Sequence, residues 1–199
     1  QQELAPVTII AHSLGGSVAL RYAGVYPENV KKMVVIEGTG GPPAEVEQRP
    51  VHERMREWID HTRKASGRQP KRYDTLEDAY TRMHEANSHL REDQARHLTI
   101  HGSNQNEDGS YSWKFDNYTH VMNPFGVNRE QSRELWSRID KPVLLVSGSE
   151  SWFAQESRED PLPYFQNAQQ VQINDAGHWL HHDQLDEFLM ITREFLASA

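Results

Sequence analysis

The chain has 199 residues, with 21 lysines and arginines against 29 aspartates and glutamates, so its formal net charge is −8. It contains no cysteine, which excludes disulfide bonds, thiolate nucleophiles and metal sites built on thiolates. An acidic chain without a basic block is also a poor nucleic-acid binder, because that affinity rests largely on Lys and Arg neutralising phosphates.

A strand, a helix and a second strand are predicted at the start of the chain. Residues 7–11 form a short, β-branched run that is typical of a buried central strand. Residues 17–26 favour a helix that ends at Pro27, and residues 33–36 form a second buried run. Two buried strands joined by one helix predict a parallel, right-handed crossover.

The middle of the chain is polar and looks like an insertion. Three glycines and two prolines within residues 38–43 predict a loop that leaves the sheet. Helical patterns rich in Arg, Glu and His follow at residues 44–66, 76–86 and 90–100. Tyr111, Trp113 and Phe115 then alternate with polar residues, which fits an extended segment facing a pocket or, equally, the insertion's own small core.

The apolar pattern resumes near residue 142. Residues 143–146 form a third buried run, residues 170–173 a less buried strand, and residues 187–196 an amphipathic helix. The predicted fold class is therefore α/β, with a parallel sheet flanked by helices and a mainly helical insertion. We expect the core to comprise residues 1–40 and 142–199, and the insertion residues 41–141.

Ser13 is the candidate nucleophile. It lies between a buried strand and a helix in Ala-His-Ser-Leu-Gly-Gly, residues 11–16, which matches a nucleophile elbow with alanine in place of the first glycine. Ala11 and Gly15 are expected to be small because the serine backbone on so sharp a turn is strained. The turn would also place the Leu14 amide at a helix N-terminus, where it can stabilise an oxyanion.

His178 is the candidate general base, because a serine nucleophile needs one and this histidine follows the last predicted strand. A loop at that point could carry it back over the elbow. Its spacing from His181 and His182 also suggests a metal cluster, so a metal-dependent hydrolase is kept as an alternative.

These motifs resemble the α/β-hydrolase superfamily: Ala-His-Ser-Leu-Gly-Gly at the elbow and Gly-His-Trp-Leu-His-His-Asp near the end, within residues 7–41 and 142–199. The resemblance implies a C-terminal portion of the hydrolase sheet, a cap at residues 41–141 and no cofactor. In members of the superfamily several strands precede the elbow strand, and the loop after one of them donates a second oxyanion amide. The resemblance implies that these strands are missing from this sequence. We therefore expect an exposed sheet flank at residues 7–11 and self-association through it.

The resemblance leaves the acid of the triad open. Members of the superfamily usually place an aspartate shortly after the strand predicted at residues 143–146, but Ser151 stands there. Glu37, 24 residues beyond Ser13, is preferred because it ends a strand, and the branch resembling haloalkane dehalogenases in part uses an acid there. Glu150, one position short of the usual site, is the alternative.

A serine nucleophile also restricts the substrate. Attack on a saturated carbon would leave an inert ether, so we expect a small molecule with an acyl carbon, and ester hydrolysis first. The expected pocket residues are His12, Trp113, Trp152, Phe153 and Trp179, although the aromatics fit an ordinary core equally well. A non-catalytic binding module or an inactive fragment is the alternative function.

Membrane association is not expected. The aliphatic runs are far shorter than the roughly 20 residues of a membrane-spanning helix. Residues 1–6 lack the basic segment and apolar stretch of a signal peptide. We therefore expect a soluble, cytoplasmic protein that binds neither nucleic acid nor membrane.

Overall fold

The structure of the protein, a computed structural model, describes residues 4–39, 49–87, 90–121, 126–152 and 160–198. Contacts divide the chain into two compact units, residues 1–44 with 127–199 and residues 45–126. The insertion predicted for residues 41–141 overlaps the second unit, whereas residues 127–141 lie in the first. That the second unit acts as a cap stays a prediction.

The described part of the chain contains six strands and seven α-helices. The strands are β1 (Val7–His12), β2 (Val30–Ile36), β3 (Ser103–Gln105), β4 (Tyr111–Trp113), β5 (Val143–Gly148) and β6 (Ala168–Ile173). The helices are α1 (Leu14–Val25), α2 (Val51–Ser66), α3 (Leu76–Ala86), α4 (Glu92–Gly102), α5 (Arg129–Ser137), α6 (Leu180–Asp183) and α7 (Leu185–Ala197).

The first unit is built on a parallel sheet in the order β1-β2-β5-β6. Alternate residues of its two central strands face opposite sides, as strand geometry requires. Met33 and Val143 pack on the side of α1 and α5, whereas Val34 and Leu144 pack on the side of α7. The sheet is thus covered on both faces, which confirms the predicted α/β class.

β1 is an edge strand of this sheet within the described residues. The prediction of a buried central strand was wrong in this respect: Ile10 is 52% exposed. The apolar run correctly predicts a parallel strand paired with β2, but it does not reveal how many neighbours the strand has. The flank expected at residues 7–11 lies at this edge, and self-association through it stays a prediction.

Helix α5 was not predicted from the sequence. Its sequence is polar, and only Ser132 and Trp136 in it are buried. Asn128 caps its N-terminus by accepting a hydrogen bond from the Gln131 amide at 2.8 Å. The helix packs against α1, where Gly24 allows a close approach: a Cβ added there would lie 2.6 Å from the Leu135 carbonyl oxygen.

The second unit contains α2, α3, α4 and the antiparallel pair β3–β4. The helix predicted at residues 76–86 has the same bounds in the structure, whereas that predicted at 44–66 begins at Val51, and residues 40–48 lie outside the described part. Trp113 on β4 donates its indole hydrogen to the Tyr73 hydroxyl, 3.2 Å away, within the unit's own aromatic cluster. Among the described residues, no helix is both long and apolar enough to span a bilayer.

Two adjacent glycines at the start of α1 differ in the room around them. A Cβ added at Gly16 would lie 2.9 Å from the Gly38 Cα and 3.1 Å from Val35 Cγ1. A Cβ added at Gly15 would meet no atom within 4 Å. The position that must stay small for steric reasons is therefore Gly16, whereas the motif suggested Gly15.

We expect Gly16→Ala to destabilise the fold and Gly15→Ala to leave it unchanged or slightly more stable. Overpacking a tight contact typically costs about 1–3 kcal/mol, and the gain in helix propensity from Gly to Ala is at most about 1 kcal/mol. Urea unfolding of the two variants beside the parent measures the difference. Equal midpoints would contradict the close packing of Gly16 on Gly38.

Candidate active site

The candidate site lies at the carboxyl ends of the parallel strands. Ser13 directly follows β1, Glu37 directly follows β2, Gly148 ends β5, and His178 lies in the loop after β6. Because parallel strands end at the same edge of the sheet, these four positions meet there although they are far apart in sequence. The site is thus assembled from all four strands of the first unit.

Ser13 has a strained backbone, with φ 54° and ψ −123°. Its amide donates a hydrogen bond to the Ile36 carbonyl at 2.8 Å, which ties the turn to the end of β2. Ser13 occupies the N-cap position of α1, but its hydroxyl does not cap the helix. Instead Oγ lies 2.9 Å from Nε2 of His178, so the hydroxyl is available for proton transfer.

Leu14 is the first residue of α1 and is 62% exposed. The N–H groups of a first helical turn have no acceptor within the helix. The Leu14 amide is therefore placed, as predicted, at the positive end of the α1 dipole beside Ser13. Its action as an oxyanion donor stays a prediction.

The Glu37 carboxylate is fully buried, with its side chain 0% exposed. Oε1 accepts a hydrogen bond from the Gly148 amide at 2.7 Å. Oε2 accepts one from the Ser151 hydroxyl at 2.5 Å and lies 3.3 Å from Nδ1 of His178. A buried carboxylate needs such partners to compensate for lost hydration, and here they also fix its orientation.

His178 bridges the acid and the serine. Its side chain is only 10% exposed, with Nδ1 towards Glu37 and Nε2 towards Ser13. A proton on Nδ1 pairs with the carboxylate and leaves the lone pair of Nε2 to accept the serine proton. The geometry therefore suits removal of a proton from the Ser13 hydroxyl.

The two carboxylates predicted as candidates for the acid of the triad differ in their distance from His178. Glu37 is in reach of His178, whereas Glu150 is exposed and donates its backbone amide to the Ala176 carbonyl at 2.9 Å. Ser151, which was not among the candidate site residues, is 1% exposed and donates its hydroxyl hydrogen to Glu37. The signal that could have found it is its place after β5, where the superfamily usually carries the acid itself.

The residues predicted to line a substrate pocket do not all lie in the described part of the first unit. The Trp152 ring lies 5.1 Å from the His178 ring and is 56% exposed. The Trp179 ring lies 5.1 Å from that of His12. Trp113 belongs to the second unit, and Phe153 lies outside the described residues. That these side chains line a substrate pocket stays a prediction.

Histidines cluster beside the site. The His12 ring lies 4.8 Å from that of His178 and 4.7 Å from that of His181. Burial, together with the neighbouring His182, lowers the pKa of His181 to about 4, so the ring is neutral at pH 7. Within the part of the chain that the structure describes, no three His, Asp or Glu side chains are arranged to hold a metal ion. The metal-dependent alternative therefore gains no support from this geometry.

The chain is similar in sequence to named hydrolases and esterases and similar in fold to solved structures. The Serine hydrolase-like protein of Danio rerio is 28% identical over 148 residues, which are 73% of this chain and 45% of that protein. Esterase YbfF of Escherichia coli K12 is 24% identical over 98% of this chain and 69% of that protein. A solved structure, the hypothetical protein PA1622 of Pseudomonas aeruginosa PAO1, superposes with a TM-score of 0.79 at 21% identity, covering 96% of this chain and 66% of that one.

The chain thus spans about half the length of the zebrafish relative and about two thirds of the other two. The family model for the alpha/beta hydrolase fold matches residues 3–185, which is nearly the whole chain. That match agrees with the parallel sheet and with the strained serine at the end of β1. The chain belongs to the alpha/beta hydrolase fold family.

Proposed function

We propose that the chain carries the catalytic triad of a serine hydrolase that cleaves carboxylic esters through an acyl-enzyme. The observation that carries the proposal is the continuous relay from Ser13 Oγ through His178 to Glu37, with heavy-atom distances of 2.9 Å and 3.3 Å. The sequence of serine, imidazole and carboxylate along this relay supports activation of the serine by a general base. No cofactor takes part in this mechanism.

In the first half of the reaction, Ser13 Oγ attacks the acyl carbon of the ester while its proton passes to Nε2 of His178. Glu37 stabilises the imidazolium that forms, and the Leu14 amide donates to the oxyanion of the tetrahedral intermediate. The intermediate collapses when the ester C–O bond breaks and the leaving alcohol takes the proton from His178. The acyl group then remains on Ser13.

In the second half, water replaces the alcohol. His178 takes a proton from the water as it attacks the acyl-enzyme, and returns that proton to Ser13 Oγ when the acyl bond to the serine breaks. The product is a carboxylic acid, and the enzyme regains its starting protonation state. The naming of the Escherichia coli relative as an esterase supports an ester as the substrate.

Labelling with a fluorophosphonate tests this proposal. Such a probe phosphonylates a serine only where a neighbouring base activates it. We expect intact-mass spectrometry of the folded chain to show one adduct, and peptide mapping to place it on Ser13. Chain unfolded in urea before the probe is added serves as the control and should stay unlabelled.

Absence of an adduct on a folded sample would contradict the proposal and favour a non-catalytic binding module. An adduct on a residue other than Ser13 would refute the assigned nucleophile. Hydrolysis of short-chain aryl esters by the labelled and unlabelled samples completes the test, because blocking the nucleophile should remove turnover in proportion to the labelled fraction.

A further inference from the structure

His12 makes a hydrogen bond that the catalytic relay does not include. It is the last residue of β1, directly before Ser13, and its Nε2 lies 2.8 Å from the backbone carbonyl oxygen of His178. A carbonyl oxygen only accepts hydrogen bonds, so Nε2 of His12 carries the proton and donates it. The bond joins residues that are 166 positions apart, from opposite ends of the first unit's sequence.

The segment that carries His178 is short and irregular. It begins with Asn174, and Asp175 has a φ of 52°. Its backbone is held at each of residues 175–177: the Asp175 amide donates to the Ser149 hydroxyl at 3.0 Å, the Ala176 carbonyl accepts from the Glu150 amide at 2.9 Å, and the Gly177 amide donates to Asp183 at 2.9 Å. The His178 ring itself reaches Glu37 at 3.3 Å, beyond the usual length of an N–H···O bond. The position of the imidazole ring therefore depends on the position of the backbone at residue 178.

We propose that His12 is a positioning residue for His178: its Nε2–H anchors the His178 carbonyl and thereby fixes the imidazole between Ser13 and Glu37. This inference rests on the proposed function. The prediction that His12 lines the substrate pocket is a separate one and stays a prediction. Because the anchor and the nucleophile are consecutive residues, one strand end sets the positions of both the serine and its base.

The surroundings of His12 suit this role. Burial and the neighbouring His178 and His182 lower the pKa of His12, although the bond to the carbonyl and the charge of Glu37 oppose the change. A neutral imidazole keeps its single proton on the nitrogen that makes the bond. It also avoids a second positive charge beside the imidazolium that forms on His178 during catalysis.

Three variants distinguish the effect of the hydrogen bond from the effect of the ring's size. His12→Gln places an amide nitrogen at nearly the distance of Nε2 from the backbone, whereas His12→Asn places it one bond short. His12→Phe keeps a ring without a donor. We expect the rate of fluorophosphonate labelling per folded molecule to fall about tenfold or more in the Phe and Asn variants, because small misplacements of reacting groups are costly. The Gln variant should recover most of that loss.

Steady-state ester hydrolysis should show the same order in kcat with KM little changed, which a lost pocket contact would not give. Equal labelling of the Phe variant and the parent would overturn the inference. So would a Gln variant as slow as the Phe variant. Circular dichroism melts supply the folded fraction by which every rate is divided.

Hydrogen exchange of the 174–179 segment gives a readout that does not depend on activity. Loss of the anchor should speed exchange in peptides covering this segment in the Phe variant, and the Gln variant should restore protection. If the parent is not labelled, the proposed function fails, and the exchange pattern still decides whether His12 holds the segment. Unchanged exchange in the Phe variant would refute that hold.

Discussion

Replacing Ser13 with alanine is expected to reduce ester turnover about 10⁴- to 10⁶-fold and to abolish fluorophosphonate labelling. The Ser13 oxygen lies 2.9 Å from Nε2 of His178, and its removal leaves the base without a nucleophile to activate. Residual activity over the uncatalysed reaction would come from substrate binding and oxyanion stabilisation alone. Initial rates with a short-chain aryl ester at matched folded concentration measure the change.

Ser17→Ala is the matched control for this variant. Ser17 lies one turn further along α1, and its hydroxyl donates to the Gly38 carbonyl at 2.9 Å rather than to His178. We expect the Ser17→Ala variant to keep labelling and turnover within about threefold of the parent. The hydrogen bond that it loses contributes roughly 1 kcal/mol to stability and does not involve His178. Turnover that survives Ser13→Ala and is lost with a chelator would instead support the metal-dependent alternative.

Glu37→Gln is expected to lower kcat about 10³- to 10⁴-fold with KM little changed. Loss of the acid in a comparable triad costs about 10⁴ because the histidine then takes the wrong tautomer. The glutamine still offers an oxygen to the Gly148 amide, so the side chain keeps its shape and place. What is lost is the negative charge that faces Nδ1 of His178 at 3.3 Å.

Glu150→Gln is the control, because Glu150 is the exposed carboxylate on the neighbouring segment. It should lower kcat by no more than about threefold. A larger loss in Glu150→Gln than in Glu37→Gln would reverse the assignment of the acid.

A second substitution should partly rescue the first. The Ser151 hydroxyl lies 2.5 Å from Oε2 of Glu37, so an aspartate at this position can bring a carboxylate close to the place that Glu37 leaves. We expect the double variant Glu37→Gln with Ser151→Asp to recover about tenfold or more of the lost kcat. No recovery, in a double variant that folds as the parent does, would show that a charge presented from the segment after β5 cannot orient His178.

The central strands and the relay could be predicted from the sequence because their signals are local. The buried run at residues 143–146 and the elbow around Ser13 need no knowledge of distant neighbours. Glu37 was preferred partly for the same reason, since the end of a strand fixes the direction of a side chain, and partly because a branch of the superfamily carries an acid there. Ser151 was missed because its role is a hydrogen bond to a residue 114 positions away.

The remaining differences also arise from non-local contacts. α5 has a polar sequence with only two buried residues, and its packing against α1 cannot be inferred from residues 129–137 alone. The pattern of β1 shows that its residues are apolar, but burial depends on how many strands lie beside it. The role of His12 depends on the path of the loop after β6, which the sequence leaves undetermined.

The relay joins His178 to residues 165 and 141 positions earlier in the chain. We expect contacts of such sequence separation to form late, because the loop entropy of closing them opposes folding until the sheet is nearly complete. A partly folded chain with β1 and β2 paired would hold Ser13 and Glu37 but leave the serine unreactive. A serine-directed probe added during refolding would therefore time the docking of β6 and not the collapse of the chain.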